Sequence, residues 1–372
     1  MYEEIKSDIL KNYAKRGKVI NEKSVEKYLN DIKKIQSLLG DKGQVDDLSF
    51  LYNINDVRSV IEDMRGRKRD AETGEKVLAS SNTKRNYYQS VVSVMDALND
   101  YEAIAYYQKI VNEYNKDYKK KVLEGSSVLT KENEEKLIPY EELLDVVNTI
   151  QLDARTVQDN FKNDKTTLIP SEDDMNTFQT YLLLKLYMKH PARNEFGTML
   201  WGTPKQKYLE DKNYAVITDN KQESKLVLNE YKTNGIYDTR IILLDKELKN
   251  LFRWWRKLLR LKNVGIVEGS GEELHWGSLS QKPIFYSRFF TIENAEVKEE
   301  WFDSPMTSNM LSKYLARFFQ KAVGKNISTT AIAKIVISNR NKEDSDNLKK
   351  TSNDRGTSVG TLSEVYSQVL PQ

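Results

Sequence analysis

Apolar residues recur at helical spacing through most of the chain. Between Ile20 and Leu39 they are Val25, Leu29, Ile32, Ile35 and Leu39, and Gly40 supplies a stop. A second helix is expected from Asp56 through Met64, and the basic stretch Arg65-Gly66-Arg67-Lys68-Arg69-Asp70 reads as a loop. Ser80-Ser81-Asn82-Thr83 then offers caps for a helix from Lys84 to Met95, so residues 1 to about 100 read as a compact helical bundle. From 101 to about 135 the pattern is a long polar helix. It runs out into Gly125-Ser126-Ser127 and the charged run Lys131 to Lys136, the expected interdomain connection.

A new apolar pattern starts at Pro139-Tyr140-Glu141-Glu142-Leu143-Leu144. The run Tyr181-Leu182-Leu183-Leu184-Lys185-Leu186-Tyr187-Met188 is too rich in leucine to be anything but a buried helix, and Pro191 ends it. Two β-rich runs, Leu226 to Thr233 and Thr239 to Leu244, flank Asn234-Gly235. They read as a hairpin with Lys232 near its tip. Lys246 to Leu261 predicts a helix with a wide apolar face, in which Trp254 and Trp255 read as core rather than as a base-stacking platform. Residues 263–304 are irregular apart from a short strand expected at Pro283-Ile284-Phe285-Tyr286. Further helices are expected over Thr307 to Val323 and, after the cap Ile327 to Thr330, over Ala331 to Ile337. A polar stretch, Ser338 to Asp354, precedes the closing segment Arg355 to Gln368.

The pattern therefore predicts a mainly α chain with a small β-hairpin or sheet. Its expected parts are a helical domain over 1–103, a polar helical linker over 104–138 and an α+β domain over 139–372. At 372 residues the chain can bury more than one core. No apolar run reaches the roughly 18 residues that cross a bilayer, and the charged start is not that of a secretory signal, so no membrane partner is expected. The absence of cysteine excludes disulfides and thiolate metal sites, and two histidines leave little for a zinc centre, so no metal site is expected. This composition suits a reducing intracellular compartment, the cytoplasm or nucleus. A net charge of +3 is small, so any nucleic-acid affinity must come from local basic faces.

One order of motifs narrows the function. A buried helix ends in Pro191-Ala192-Arg193-Asn194-Glu195, a hairpin carries Tyr231-Lys232-Thr233, and the tail reads Gly356-Thr357-Ser358-Val359-Gly360-Thr361 before Tyr366. This order resembles the catalytic domain of tyrosine recombinases, and is closest to the recombinase-like proteins of large eukaryotic DNA viruses and related mobile elements. The helical order of residues 1 to about 100 is similar to the core-binding domain that precedes it in that family. Under this resemblance Arg65, Arg67, Lys68, Arg69, Lys84 and Arg85 are the residues expected to face DNA phosphates. The alternative for each is a solvated loop or helix start.

The resemblance implies attack by Tyr366 on a backbone phosphate, which gives a 3′-phosphotyrosyl intermediate and a free 5′-hydroxyl. It implies Lys232 as general acid and Arg193 at the phosphate, double-stranded DNA as partner, a homotetramer on paired sites, and no metal or nucleotide cofactor. Three positions depart from the family pattern. Ala192 stands where the first arginine of the pair is usual, Ala333 stands at the second arginine, and Thr357 replaces a histidine. Thr330 and Lys334 are the available substitutes in the second box, although a lysine cannot reproduce bidentate arginine geometry. Loss of one such donor costs about 100- to 1000-fold in rate. The alternatives are a DNA-binding protein without turnover, a helical scaffold unrelated to DNA and, residue by residue, Arg193 paired with Glu195 or a core carboxylate and Lys232 as a solvated turn lysine.

Overall fold

The computed structural model describes residues 2–17, 20–43, 47–70, 73–123, 137–162, 169–204, 206–218, 223–231, 239–267, 280–287 and 305–343. The chain divides into two compact units, Met1–Ser127 and Val128–Gln372. Mainly helical structure with small sheets is the outcome the sequence pattern predicts. No helix among the described residues is long and apolar enough to cross a membrane.

The first unit holds α1 (Tyr2–Lys15), α2 (Glu22–Leu38), α3 (Ile54–Glu62), strands β1 (Arg65–Arg69) and β2 (Lys76–Leu78), α4 (Ser81–Ala97) and α5 (Tyr101–Leu123). Asn21 caps α2 by accepting from the Lys23 amide, and the expected stripe Val25, Leu29, Ile32 and Ile35 is buried. Ser80 caps α4 in the same way, accepting from the Thr83 amide. Two expectations change. The stretch Arg65 to Asp70, read as a loop, forms a strand paired antiparallel with β2, because Gly74 takes a left-handed φ of +68° and closes the turn. The polar helix, read from residue 104 as a linker, is α5, and its Tyr107, Ile110 and Val111 lie in the core of the first unit. Tyr107 is fully buried and donates to the Leu51 carbonyl at 2.9 Å. The sequence reading weighed the polar residues of α5 and passed over its narrow apolar stripe.

A polar cluster ties α3, α4 and α5 together. The Glu62 carboxylate accepts from Tyr88 at 2.9 Å, Tyr114 at 2.8 Å and Lys84 at 3.1 Å. Burial pushes the Glu62 pKa up, but the bonds from Tyr114, Tyr88 and Lys84 outweigh it and hold the group below its ordinary value. Burial and the same carboxylate push Tyr88 and Tyr114 up.

The second unit contains α6 (Tyr140–Asn160), α7 (Glu172–Lys189), strands β3 (Leu200–Gly202), β4 (Asn213–Val216), β5 (Lys225–Leu228) and β6 (Arg240–Leu243), then α8 (Lys246–Val267), α9 (Ser308–Val323) and α10 (Thr329–Glu343). Helix α7 begins at a capping box made by Ser171 and Asp174. It buries Met175, Phe178, Leu182, Leu183, Leu184, Leu186 and Tyr187, leaving no apolar stripe but an apolar circumference, and packs against α6, α8 and α10. The sheet order is β3-β4-β5-β6, parallel between β3 and β4 and antiparallel elsewhere. The expected hairpin is β5–β6, with Leu226 opposite Ile242 and Leu228 opposite Arg240, and its tip at 232–238 lies outside the described residues. Trp255 is fully buried, stacked on Phe178 at 6.3 Å, and donates to the Ile284 carbonyl at 2.8 Å. Over Pro283 to Tyr286, where a short strand is expected, the described residues form no strand but two isolated bridges, Pro283 to Leu200 of β3 and Tyr286 to Pro305.

A carboxylate whose folded pKa is depressed contributes stability above its unfolded pKa and loses it as pH falls through the folded value. Comparison of wild type with Glu62→Gln by thermal unfolding from pH 7 to pH 3 is expected to show the largest difference in Tm above pH 4.5, narrowing below it. A difference that stays constant with pH would mean that the charge of Glu62 is not what the cluster stabilises.

Candidate phosphate site and DNA-facing residues

The arginine-bearing loop starts where α7 stops. His190 takes φ −134° and ψ 80°, outside the helical region that a following proline disfavours, and its amide bonds the Leu186 carbonyl at 2.7 Å. Arg340 of α10 donates to the last carbonyls of α7, those of Met188 at 2.6 Å and Lys189 at 2.9 Å. Lys189 pairs with Asp245 and Glu247 at the start of α8, and Lys185 reaches Glu247 at 2.6 Å. Burial raises the pKa of both carboxyls, but Lys189 and the Leu248 amide outweigh it at Asp245, and Lys185 and Lys189 at Glu247, holding both below their ordinary values. The end of α7 is thereby fixed to two other helices.

The loop itself is strapped on four sides. Tyr187 donates to the Arg193 carbonyl at 2.5 Å. Asn194 accepts from Thr329, the fully buried first residue of α10, which also bonds Ser312 of α9 at 3.3 Å. Gly197 lies so close to the start of α9 that a Cβ would stand 3.0 Å from the Thr307 carbonyl oxygen and 3.2 Å from Leu311 Cβ. Asn213 of β4, 0 % exposed, donates to the carbonyls of Glu195 at 3.2 Å and Glu230 at 2.9 Å. Its Oδ1 accepts from the amides of Asn229 at 2.9 Å and Glu230 at 2.8 Å. One buried amide thus joins the arginine loop to the end of β5, where buried Tyr231 leads to Lys232.

Arg193 is half-buried on this frame. Its Nη1 is buried without a hydrogen-bond partner among the described residues. Glu195 is 8 % exposed, and its Oε2 likewise has no partner, so the two do not form the ion pair that was the structural alternative for Arg193. Ala192 and Ala333 are both 0 % exposed. They pack in the interior and supply no cation. On α10 Thr330 is exposed and Lys334 half-buried. Lys232, Thr357 and Tyr366 lie outside the described residues.

In the first unit Arg65 and Arg69 are exposed on β1, with Arg67 and Lys68 between them on the same strand. Lys84 is turned inward, its Nζ 2.6 Å from the Glu62 carbonyl oxygen, so it belongs to the interior cluster rather than to an outer basic face. Arg85 bonds Asn115 and Asn86, each at 3.2 Å, and lines a small cavity with Ser81, Asn82, Tyr114, Asp117 and Tyr118. No local pattern marks Asn213, whose partners lie 16 to 18 residues away; Asn194 and Thr329 stand in segments that the sequence singles out, but their bond to one another spans 135 residues. No family model matches the chain, and a search of curated proteins finds no match.

Asn213→Leu removes every bond of the joining amide and leaves two carbonyls and two amides without it. The expected loss is about 2–4 kcal/mol from unsatisfied buried groups, read as a lower urea midpoint at unchanged slope. A loss under roughly 0.5 kcal/mol would mean that the loop is held without Asn213.

Proposed function

We propose that this chain is a DNA-binding protein of the tyrosine-recombinase type, which breaks and rejoins a DNA strand through a 3′-phosphotyrosyl intermediate on Tyr366. In this reading Arg193 binds the scissile phosphate, where negative charge grows in the transition state. The Tyr366 phenol gives up its proton to solvent and its oxygen bonds to phosphorus as the bond to the 5′ oxygen breaks, and Lys232 gives the departing 5′ oxygen a proton. Rejoining is the reverse attack by a 5′-hydroxyl. The functional assembly would be a tetramer on paired duplex sites, acting inside a reducing compartment.

One observation carries the reading. The loop that bears Arg193 is bonded both to the first turn of α10 and to the end of β5, so segments assigned to three separate sequence boxes share one connected frame. The buried Nη1 of Arg193 fits a phosphate oxygen as its missing acceptor.

A second reading, a recombinase-derived DNA-binding protein without turnover, is favoured by the complete burial of Ala192 and Ala333. With two cationic donors missing, the reaction would be slowed by several powers of ten.

A nicked duplex that traps the covalent intermediate separates the two. The expected result is a protein–DNA adduct that is lost in Tyr366→Phe and falls about 100- to 1000-fold in rate in Arg193→Ala. Duplex binding with no adduct would favour the second reading. Failure to bind duplex at low salt would remove both.

A further inference from the structure

The hairpin β1–β2 has no folding reason of its own. Arg65, Arg69, Lys76 and Leu78 are exposed, and Val77 is only half-buried. None of these belongs to the core of the first unit. A lone two-stranded ribbon is marginal in water, and this one is held by its turn and by its own arginines. Asp70 accepts from the Thr73 amide at 2.9 Å and from its hydroxyl at 3.1 Å, and the Asp70 amide donates to the Glu75 carbonyl at 2.7 Å. Arg65 Nη1 donates across the ribbon to the Lys76 carbonyl at 3.1 Å, and Arg69 Nη1 to the Gly74 carbonyl at 2.7 Å. Arg65 is oriented by a bond to the opposite strand and Arg69 by a bond to the turn, and among the described residues the other N–H groups of each remain for another acceptor.

Charge and shape together select an occupant. Residues 65–78 carry five cations, Arg65, Arg67, Lys68, Arg69 and Lys76, against Asp70, Glu72 and Glu75, a net +2 in a chain whose net charge is +3. Asp70 is committed to the turn. Leu78, 54 % exposed, is the residue directly opposite Arg65. A ribbon two strands wide fits the major groove of B-DNA, about 12 Å across, and not the minor groove of about 6 Å. Oriented guanidinium groups match the O6 and N7 acceptors of guanine, and an exposed leucine beside them matches a thymine methyl.

We infer that the hairpin β1–β2 enters the major groove of duplex DNA and reads base edges through Arg65 and Arg69, with Leu78 in apolar contact. The inference rests on the DNA-binding reading above and adds to it that these arginines specify sequence rather than hold phosphates.

The test uses the full chain. A preferred duplex is selected from a random pool with wild type, then Arg65→Ala/Arg69→Ala and Arg65→Lys/Arg69→Lys are compared on it. Because both arginines also bond the ribbon, backbone amide exchange of β1 and β2 is compared in all three proteins, and loss of affinity counts for the inference only where the ribbon amides stay protected. Wild type is expected to protect a short cluster of guanine N7 atoms from dimethyl sulfate. The alanine pair is expected to lose at least about 30-fold in affinity for that duplex and to lose the protection. The lysine pair is expected to keep the salt dependence and lose the sequence preference. The inference is overturned if the alanine pair keeps both the preference and the N7 protection while the salt slope falls by about two, because the arginines then touch phosphates alone. Wild-type binding without sequence preference overturns it as well. Failure of wild type to bind any duplex at low salt is a different result, which removes the DNA reading itself.

Discussion

The stretch of helix α7 from Phe178 to Tyr187 is buried nearly all round, and the second unit is organised by the need to cover it. Leu182, Leu183, Leu184 and Leu186 are all fully buried. Burial of each stabilises by about 1.5–3 kcal/mol, so the four together rival the roughly 5–15 kcal/mol net stability of a whole domain. No arrangement that leaves one side of α7 open can recover that. The requirement brings α6, α8 and α10 around it. Because the helix is immobilised along its length, the point where it ends is immobilised too, and Arg193 is four residues past that point.

Polar bonds then convert a fixed helix end into a fixed loop. Tyr187, Thr329 and Asn213 bond the backbone or side chains of residues 193–195 and leave the Arg193 guanidinium out of the bonding. A buried donor without a partner costs about 1–3 kcal/mol. The two alanines of the same frame show the opposite arrangement: their methyl groups fill the interior, where a guanidinium could not be satisfied. The site thus rests on a single described arginine.

The first unit follows a different logic. Its helices meet through an apolar core and through one carboxylate, Glu62, that gathers hydroxyls from α4 and α5 and an ammonium from α4. Residues used in this way are withdrawn from the surface, and Lys84 is one of them. Arg65 and Arg69 stay outside because the hairpin that carries them is too short and too polar to bury.

The sequence by itself determined most of the helices, because a 3.6-residue period and a cap such as Asn21, Ser80 or Ser171 are local facts that the backbone obeys wherever the segment is placed. It also determined that Pro191 would end α7 and that the runs around residues 226 and 242 would pair. It left α1, β3 and β4 unread, since the strands span only three and four residues and take their stability from neighbours rather than from their own pattern. Only the tertiary structure decided that α5 belongs to a core, that Lys84 points inward and that Asn213 joins the arginine loop to β5. Those outcomes depend on which distant group has an unsatisfied donor, acceptor or apolar face, a quantity that exists only once the chain has closed on itself.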